Sequence, residues 1–311
     1  MTPEIRRAAE ILRAGGLVAF PTETVYGLGA GAANPEAVAR LFAVKGRPAD
    51  HPVIVHFADA EQAFGWAREV PPGARRLAAR FWPGPLTMIL RRAARVGDFV
   101  TGGQDTVGLR VPAHPVAQEL LKAFGGAVAA PSANRFGRVS PTRAEHVRAD
   151  LGDEVDLVLE GGASEVGIES TIVDLSGERP RLLRPGAIAM TQLEQVLGEP
   201  VAAADSAAPR APGTLERHYA PKTPLRIVPS HALDAEVARA AGRVAVLAFS
   251  RPDERVRLWL RMPRDAAAYA HRLYAALREL DAAGCDRILV EAPPEEPAWQ
   301  AVRDRLARAA A

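Results

Sequence analysis

With 311 residues, 48% hydrophobic and 24% charged, the chain has the length for two domains and the composition of a soluble globular protein, which excludes intrinsic disorder. A formal net charge of +2 excludes a global field for nucleic acid, so any anion site must be a local cluster. A lone cysteine, Cys285, excludes an intramolecular disulfide and a cysteine-based zinc site, and no apolar run approaches the roughly 20 residues of a membrane span.

Thr2-Pro3 predicts an N-cap with proline at the first helical position, and Gly15-Gly16 ends that helix. The helix is amphipathic, with charges that interrupt any signal-peptide core, so a cytoplasmic location is expected. Leu17–Phe20 is a strand, followed from Pro21 by a polar, glycine-rich loop. Asn34-Pro35 starts the next helix by the same device, with Val38, Leu41 and Phe42 as its buried stripe, and it delivers Lys45 and Arg47 on its far side. Strands are predicted at Val53–Phe57, Thr87–Leu90, Thr106–Val111, Ala127–Ala130, Leu157–Glu160, Thr171–Leu175 and Arg181–Arg184. Helices are predicted after Asp59 to near Trp66, from Pro115 to Ala123, and from a Thr142 cap through Arg148. These elements make a mixed α/β domain over residues 1–197. Residues 198–224 are rich in Ala and Pro and read as a linker. Strands at Leu225–Val228, Val244–Phe249 and Arg287–Val290, with a helix at Asp265–Ala283, predict a small parallel-sheet α/β domain over 225–311.

The chain has no Walker-type GxxxxGK[ST], GxSxG or HExxH motif. Gly27-x-Gly29-x-x-Ala32 matches a relaxed dinucleotide fingerprint, but the tight strand–turn–helix context is missing. What remains is a density of loops able to bind anions. In Lys45-Gly46-Arg47, an ammonium and a forked guanidinium could close on one polyanion, and Lys45 is one of only three lysines in the chain. The competing reading is an exposed charge capping a helix C-terminus. Pro131-Ser132-Ala133-Asn134 follows a buried strand, where its polar groups would face a cleft; a plain Ser or Asx turn is the alternative. Gly137–Pro141, Gly167–Thr171 and Arg184–Gly186 are further loops of the same kind. His51 and His56 lack the additional ligands a metal site needs.

The ordered set PTETVYGLG, KGRP, VIVH, WPGPLT, VGLRVPAHP, APSAN, SPT, GIESTIVD and RPG resembles the threonylcarbamoyl-adenylate synthase family over residues ~5–195. RHYAPKTPL in the linker, followed by a small α/β domain, is similar to the long, two-domain form of that family. The resemblance implies a YrdC-like twisted mixed sheet with helices in the N-terminal domain, plus a smaller Rossmann-like parallel C-terminal domain. It also implies a nucleotidyltransferase that joins L-threonine, bicarbonate and ATP into threonylcarbamoyl-adenylate and pyrophosphate. That product serves downstream threonylcarbamoyl-transferase machinery, which makes N6-threonylcarbamoyladenosine in tRNA; a tRNA contact is a further expectation. Two anions must meet in this reaction, so the site needs positive charge and aligned donors more than a nucleophile.

Carried over by motif, Lys45 and Arg47 form the catalytic pair facing triphosphate and bicarbonate. Ser132, Asn134, Ser140 and Arg184 line the nucleotide site, with Thr106 and the Ala130 backbone close by. Thr24, His56, Arg110 and Ser170 hold threonine, and Tyr219 reaches back over the nucleotide, which makes the linker a lid. Mg2+ is expected to arrive with ATP, and no tightly bound organic cofactor is expected. The family often has KGRPxxNP; here His51 takes the place of the asparagine, with a charge expected to vary near neutral pH. Two other readings stay open. One is a carbamoyltransferase acting through carbamoyl-adenylate, although that family usually carries zinc-finger cysteines. The other is a non-catalytic RNA-binding module using Arg135, Arg138, Arg143 and Arg148.

Overall fold

The computed structural model describes residues 1–253 and 255–311. Among them the strands fall into two sheets. The first sheet contains β1 (Val18–Phe20), β2 (Gly27–Gly31), β3 (Ile54–His56), β4 (Leu86–Arg91), β5 (Thr106–Arg110), β6 (Val128–Ala129), β7 (Leu157–Val158), β8 (Thr171–Asp174), β9 (Arg181–Arg184) and β10 (Ala202–Ala203). Their order is β10-β9-β8-β4-β5-β3-β6-β2-β1-β7. Parallel pairs such as β3/β5 and β4/β8 alternate with antiparallel pairs such as β4/β5 and β1/β2, so the sheet is mixed. The second sheet is wholly parallel: β11 (Leu225–Val228), β12 (Val244–Ala248), β13 (Leu258–Arg261) and β14 (Arg287–Glu291), in the order β11-β14-β12-β13. This is the expected α/β class.

The first sheet carries helices on both faces. Ile5, Leu12, Leu120 and Leu121 pack with Val18, Phe20 and Val128 on one side. On the other, Leu41, Phe42, Leu77 and Leu193 pack with Leu28, Val55 and Leu109. The helix starts follow the local chemistry: Thr2 Oγ1 accepts the Ile5 N–H, and Asn34 Oδ1 accepts from Glu36 and Ala37. The Pro35–Lys45 helix closes on Gly46 at φ 63°, with Gly46 N–H bonded to Ala43 and Arg47 N–H to Phe42. That pattern of two reversed bonds around a left-handed glycine turns the chain sharply and aims Arg47 inward.

Three expectations change. Gly27–Gly31, taken as loop, is the buried strand β2. Glycine suits it because a Cβ on Gly29 would stand 2.9 Å from the Phe20 ring and 3.0 Å from Val128. Thr142 caps no helix: the helix is Ala144–Leu151, its cap position is Arg143, and the Thr142 N–H donates to His146 instead. The segment from 198 is not wholly irregular, since Ala202–Ala203 extends the first sheet alongside β9. No helix is predicted at Pro72–Phe81, Met190–Leu197 or Gln300–Ala310, yet all three form.

Candidate active site

The loops that follow β1 and β6 and the loop that leads into β8, together with residues 212–219, line one cavity. It is lined by Thr24, Arg47, His56, Arg110, Ala130, Ser132, Ser170, Arg184 and Tyr219, along with Thr22, Glu169 and His218. Its enclosed volume is about 50 Å³. That is far below the roughly 300–1,000 Å³ of an ordinary ligand pocket.

At one end, Arg110 from β5 donates to Glu23 Oε1 at 2.6 Å, while Glu23 Oε2 accepts the Ala113 N–H at 3.0 Å. Five N–H donors belong to a guanidinium, so Arg110 keeps capacity for a second carboxylate. His56 beside it is buried, and its Nδ1 has no partner. Burial, reinforced by the Arg110 charge, pushes the imidazole down to about 3, so His56 is neutral at ordinary pH. Thr24 completes this end through a 2.8 Å bond between its hydroxyl and that of Thr22.

At the other end, Arg47 donates to the Pro52 carbonyl at 2.6 Å and lies over the Phe42 and Phe136 rings. Its Nε is buried without a partner, and burial brings its pKa to about 10, which leaves it charged at neutral pH. Arg184 donates to the Ser170 carbonyl at 3.0 Å, the Ser170 hydroxyl at 3.1 Å and the Pro212 carbonyl at 2.9 Å, which ties the linker to the sheet. Tyr219 adopts a left-handed backbone at φ 61°, and its ring is buried. Its hydroxyl packs so closely on Gly213 that a Cβ there would stand 2.0 Å away, so that position requires glycine.

Five predicted residues lie outside the cavity wall. Lys45 is not an exposed charge: it is 3% exposed, and its Nζ donates to the Ser132 and Asn134 carbonyls behind the wall. Burial, and then the nearby Arg47 charge, lower its pKa well below the usual lysine value. Asn134 is buried in the same loop and bonded to the Arg135 and Arg138 carbonyls. Ser140 is buried and donates to Glu169 Oε1 at 2.5 Å. His51 lines an adjoining cavity that shares Arg47, Pro212, Gly213 and His218 with the first. Burial, and then the Arg47 charge, lower its pKa from the usual histidine value. Thr106 starts β5 opposite Arg91 and lines neither cavity.

Sequence reasoning missed Glu23, Glu169 and His218, although each lies inside a quoted motif. It missed Tyr274 and Arg305 entirely. Glu169 accepts from Ser140, from Tyr274 at 2.8 Å and from Arg305 at 2.8 Å. Burial alone would raise its pKa, but the Arg305 and Arg184 charges and these hydrogen bonds hold it at about 2. His218 packs against Phe136 and Tyr219, and burial brings it to about 3. The arginines proposed for RNA are engaged with protein groups: Arg135 with Glu154, Arg148 with Glu160, Arg143 with Glu145, and Arg138 with the Pro221 carbonyl. They form no free cationic stripe.

Known proteins resemble the chain over nearly its whole length. The Sua5/YciO/YrdC family model, described as telomere recombination, matches residues 10–186, and the threonylcarbamoyl-AMP synthase C-terminal domain matches residues 188–311. The threonylcarbamoyl-AMP synthase of Pyrococcus abyssi is 41% identical over 98% of this chain and 94% of its own length. That of Bacillus subtilis is 39% identical over 99% of this chain and 93% of its own. The crystal structure of P. abyssi Sua5 complexed with L-threonine superposes with a TM-score of 0.91 at 40% identity, covering 98% of this chain and 94% of that one.

Proposed function

We infer the function from family: the chain belongs to the threonylcarbamoyl-AMP synthases in their two-domain form, and it is a nucleotidyltransferase that makes threonylcarbamoyl-AMP. L-threonine, bicarbonate and ATP are its substrates. The threonine amine and bicarbonate condense to a carbamate with loss of water. A carbamate oxygen then bonds to the α-phosphorus while the bond to the pyrophosphate oxygen breaks.

The residue roles that follow are our proposal. Arg110, His56, Thr24 and Ser170 bind threonine, with Arg110 on its carboxylate. His56, held neutral, offers an uncharged ring beside the amine end, where a second positive charge would oppose binding. Arg47, Ser132, the Ala130 backbone and Arg184 take the nucleotide, and Arg47 faces the departing pyrophosphate. Lys45 acts from behind, holding the Ser132–Asn134 loop. The observation that carries this reading is that both residue sets line one cavity, so amine and phosphate meet there. A cavity of about 50 Å³ is too small for ATP, and a linker bearing Tyr219 that moves aside for entry accounts for this.

Mg2+ would come with ATP, its ligands supplied by phosphate oxygens, because Glu23 and Glu169 are both engaged by arginines. Among the described residues no helix is long and apolar enough to cross a membrane. We place the reaction in the cytoplasm, with its product passed to a threonylcarbamoyl-transferring machinery that acts on tRNA. The test is pyrophosphate release, which should need threonine and bicarbonate together, with carbamoyl phosphate unable to replace bicarbonate. ATP turnover indifferent to threonine would overturn the assignment.

A further inference from the structure

The nucleotide end of the cavity is braced from behind by the C-terminal domain. Arg305 lies on the Gln300–Ala310 helix, and its side chain is 0% exposed. Its Nε donates to Glu169 Oε2 at 2.8 Å, Nη2 to the Glu169 carbonyl at 3.4 Å, and Nη1 to Asp304 at 2.6 Å. Tyr274, on the Ala266–Ala282 helix, donates its hydroxyl to the same Oε2 at 2.8 Å. Glu169 lines the cavity, and its other oxygen accepts from Ser140. Both residues also hold the linker: the Arg305 guanidinium lies 5.3 Å from the Tyr219 ring centroid, and the Tyr274 ring stacks on Tyr219 at 5.7 Å with a 28° tilt. The backbone follows the same scheme. The His218 N–H donates to the Arg308 carbonyl at 3.1 Å, and Arg278 donates to the Val139 and Ser140 carbonyls.

We propose that Arg305 and Tyr274 are positioning residues for the synthase reaction, fixing the Glu169 carboxylate and the Tyr219 ring so that the C-terminal domain completes the nucleotide end of the active centre. A buried arginine–carboxylate pair stabilises no more than an apolar pair of the same volume, so its use lies in direction and charge. Direction matters because one carboxylate orients Ser140 from one domain and meets two donors from the other. Charge matters because Glu169, unneutralised, would repel an incoming triphosphate. The Arg110–Glu23 pair at the threonine end has no such dependence, since both residues belong to the first sheet and its loops.

The inference rests on the synthase reading, and the experiment separates the two. Pyrophosphate release is measured for the full-length wild type, Tyr274→Phe, Arg305→Lys and Arg305→Met, with ATP and threonine varied in turn. ATP affinity and thermal melting are measured in parallel. Tyr274→Phe should raise the ATP KM about fivefold and Arg305→Met about tenfold or more, with Arg305→Lys between them and the threonine KM within about twofold of wild type. Combined with Arg305→Lys, Tyr274→Phe should be less than multiplicative on ATP affinity, since both act through the Glu169 carboxylate. An unchanged ATP KM in Tyr274→Phe and Arg305→Lys would overturn the proposal, as would equal rises for ATP and threonine or a multiplicative cycle. If Arg305→Met fails to fold, the other two variants decide. A wild type whose pyrophosphate release ignores threonine would instead sink the synthase reading, and the ATP titrations would still decide the positioning role.

Discussion

Two buried arginine–carboxylate pairs border the cavity, and they differ in where their halves come from. Arg110 and Glu23 meet at 2.6 Å with side chains 5% and 7% exposed, both supplied by the first sheet and its loops. Arg305 and Glu169 meet at 2.8 Å, 136 residues apart, one from each domain. The first pair can form as soon as the N-terminal sheet closes. The second needs the C-terminal helices docked and the linker laid across. One pair is thus a property of a domain, and the other is a property of the assembly of two.

Breaking the self-contained pair should have the largest effect. Arg110→Met leaves the Glu23 charge buried without its partner, so about 3–5 kcal/mol of stability should be lost by chemical denaturation, together with threonine-dependent pyrophosphate release. Adding Glu23→Gln should recover stability but not activity. A loss below about 1 kcal/mol for the single variant would show that the pair is not structural.

Lys45 belongs to the same domain but stands behind the wall. Lys45→Met leaves the Ser132 and Asn134 carbonyls without their donor, so a loss of about 1–3 kcal/mol is expected. Activity should fall by about two orders of magnitude as the loop loses its shape and its positive charge. Full activity with lowered stability would confine the lysine to packing.

The effect that is smallest at neutral pH, and grows only on acidification, separates the ends by pH. His56 and His218 are both held at about 3, well under an ordinary histidine, so the unfolded chain takes up a proton on each that the native chain refuses. Stability therefore falls as pH drops below about 6.5, by up to roughly 1.4 kcal/mol per pH unit for each ring. Glu169, held at about 2, contributes stability present above about 4.5, which is lost as pH falls through its native value. His218→Gln should flatten the upper limb of an unfolding-against-pH curve and leave the lower limb in place. An unchanged upper limb would mean that His218 is reached by water in solution.

Much of the first domain was legible because its signals are local. Asn34-Pro35 and Gly46 set the ends of a helix by caps that depend only on neighbouring backbone groups. Arg181–Arg184 and Leu225–Val228 form with the predicted bounds. The strand Gly27–Gly31 was illegible because its glycines carry no propensity; what makes it a strand is the close approach of Phe20 and Val128. Most of the predicted site residues line one cavity, since the motifs that hold them follow strands whose ends converge. Thr106 lies outside the cavity because it is at the opposite end of β5 from Arg110.

The sequence by itself determined the class of the protein, the caps and turns, and the motif residues, because each of these is encoded within a few neighbouring positions. Tertiary structure alone decided that Lys45 is buried, that His51 is shifted towards its neutral form, and that Glu169 is a hub joining both domains. It alone brought Tyr274 and Arg305 to Glu169, at the edge of the cavity, from more than 100 residues away. Burial and partnership at that range are set by how the two sheets dock, and no local pattern carries that information.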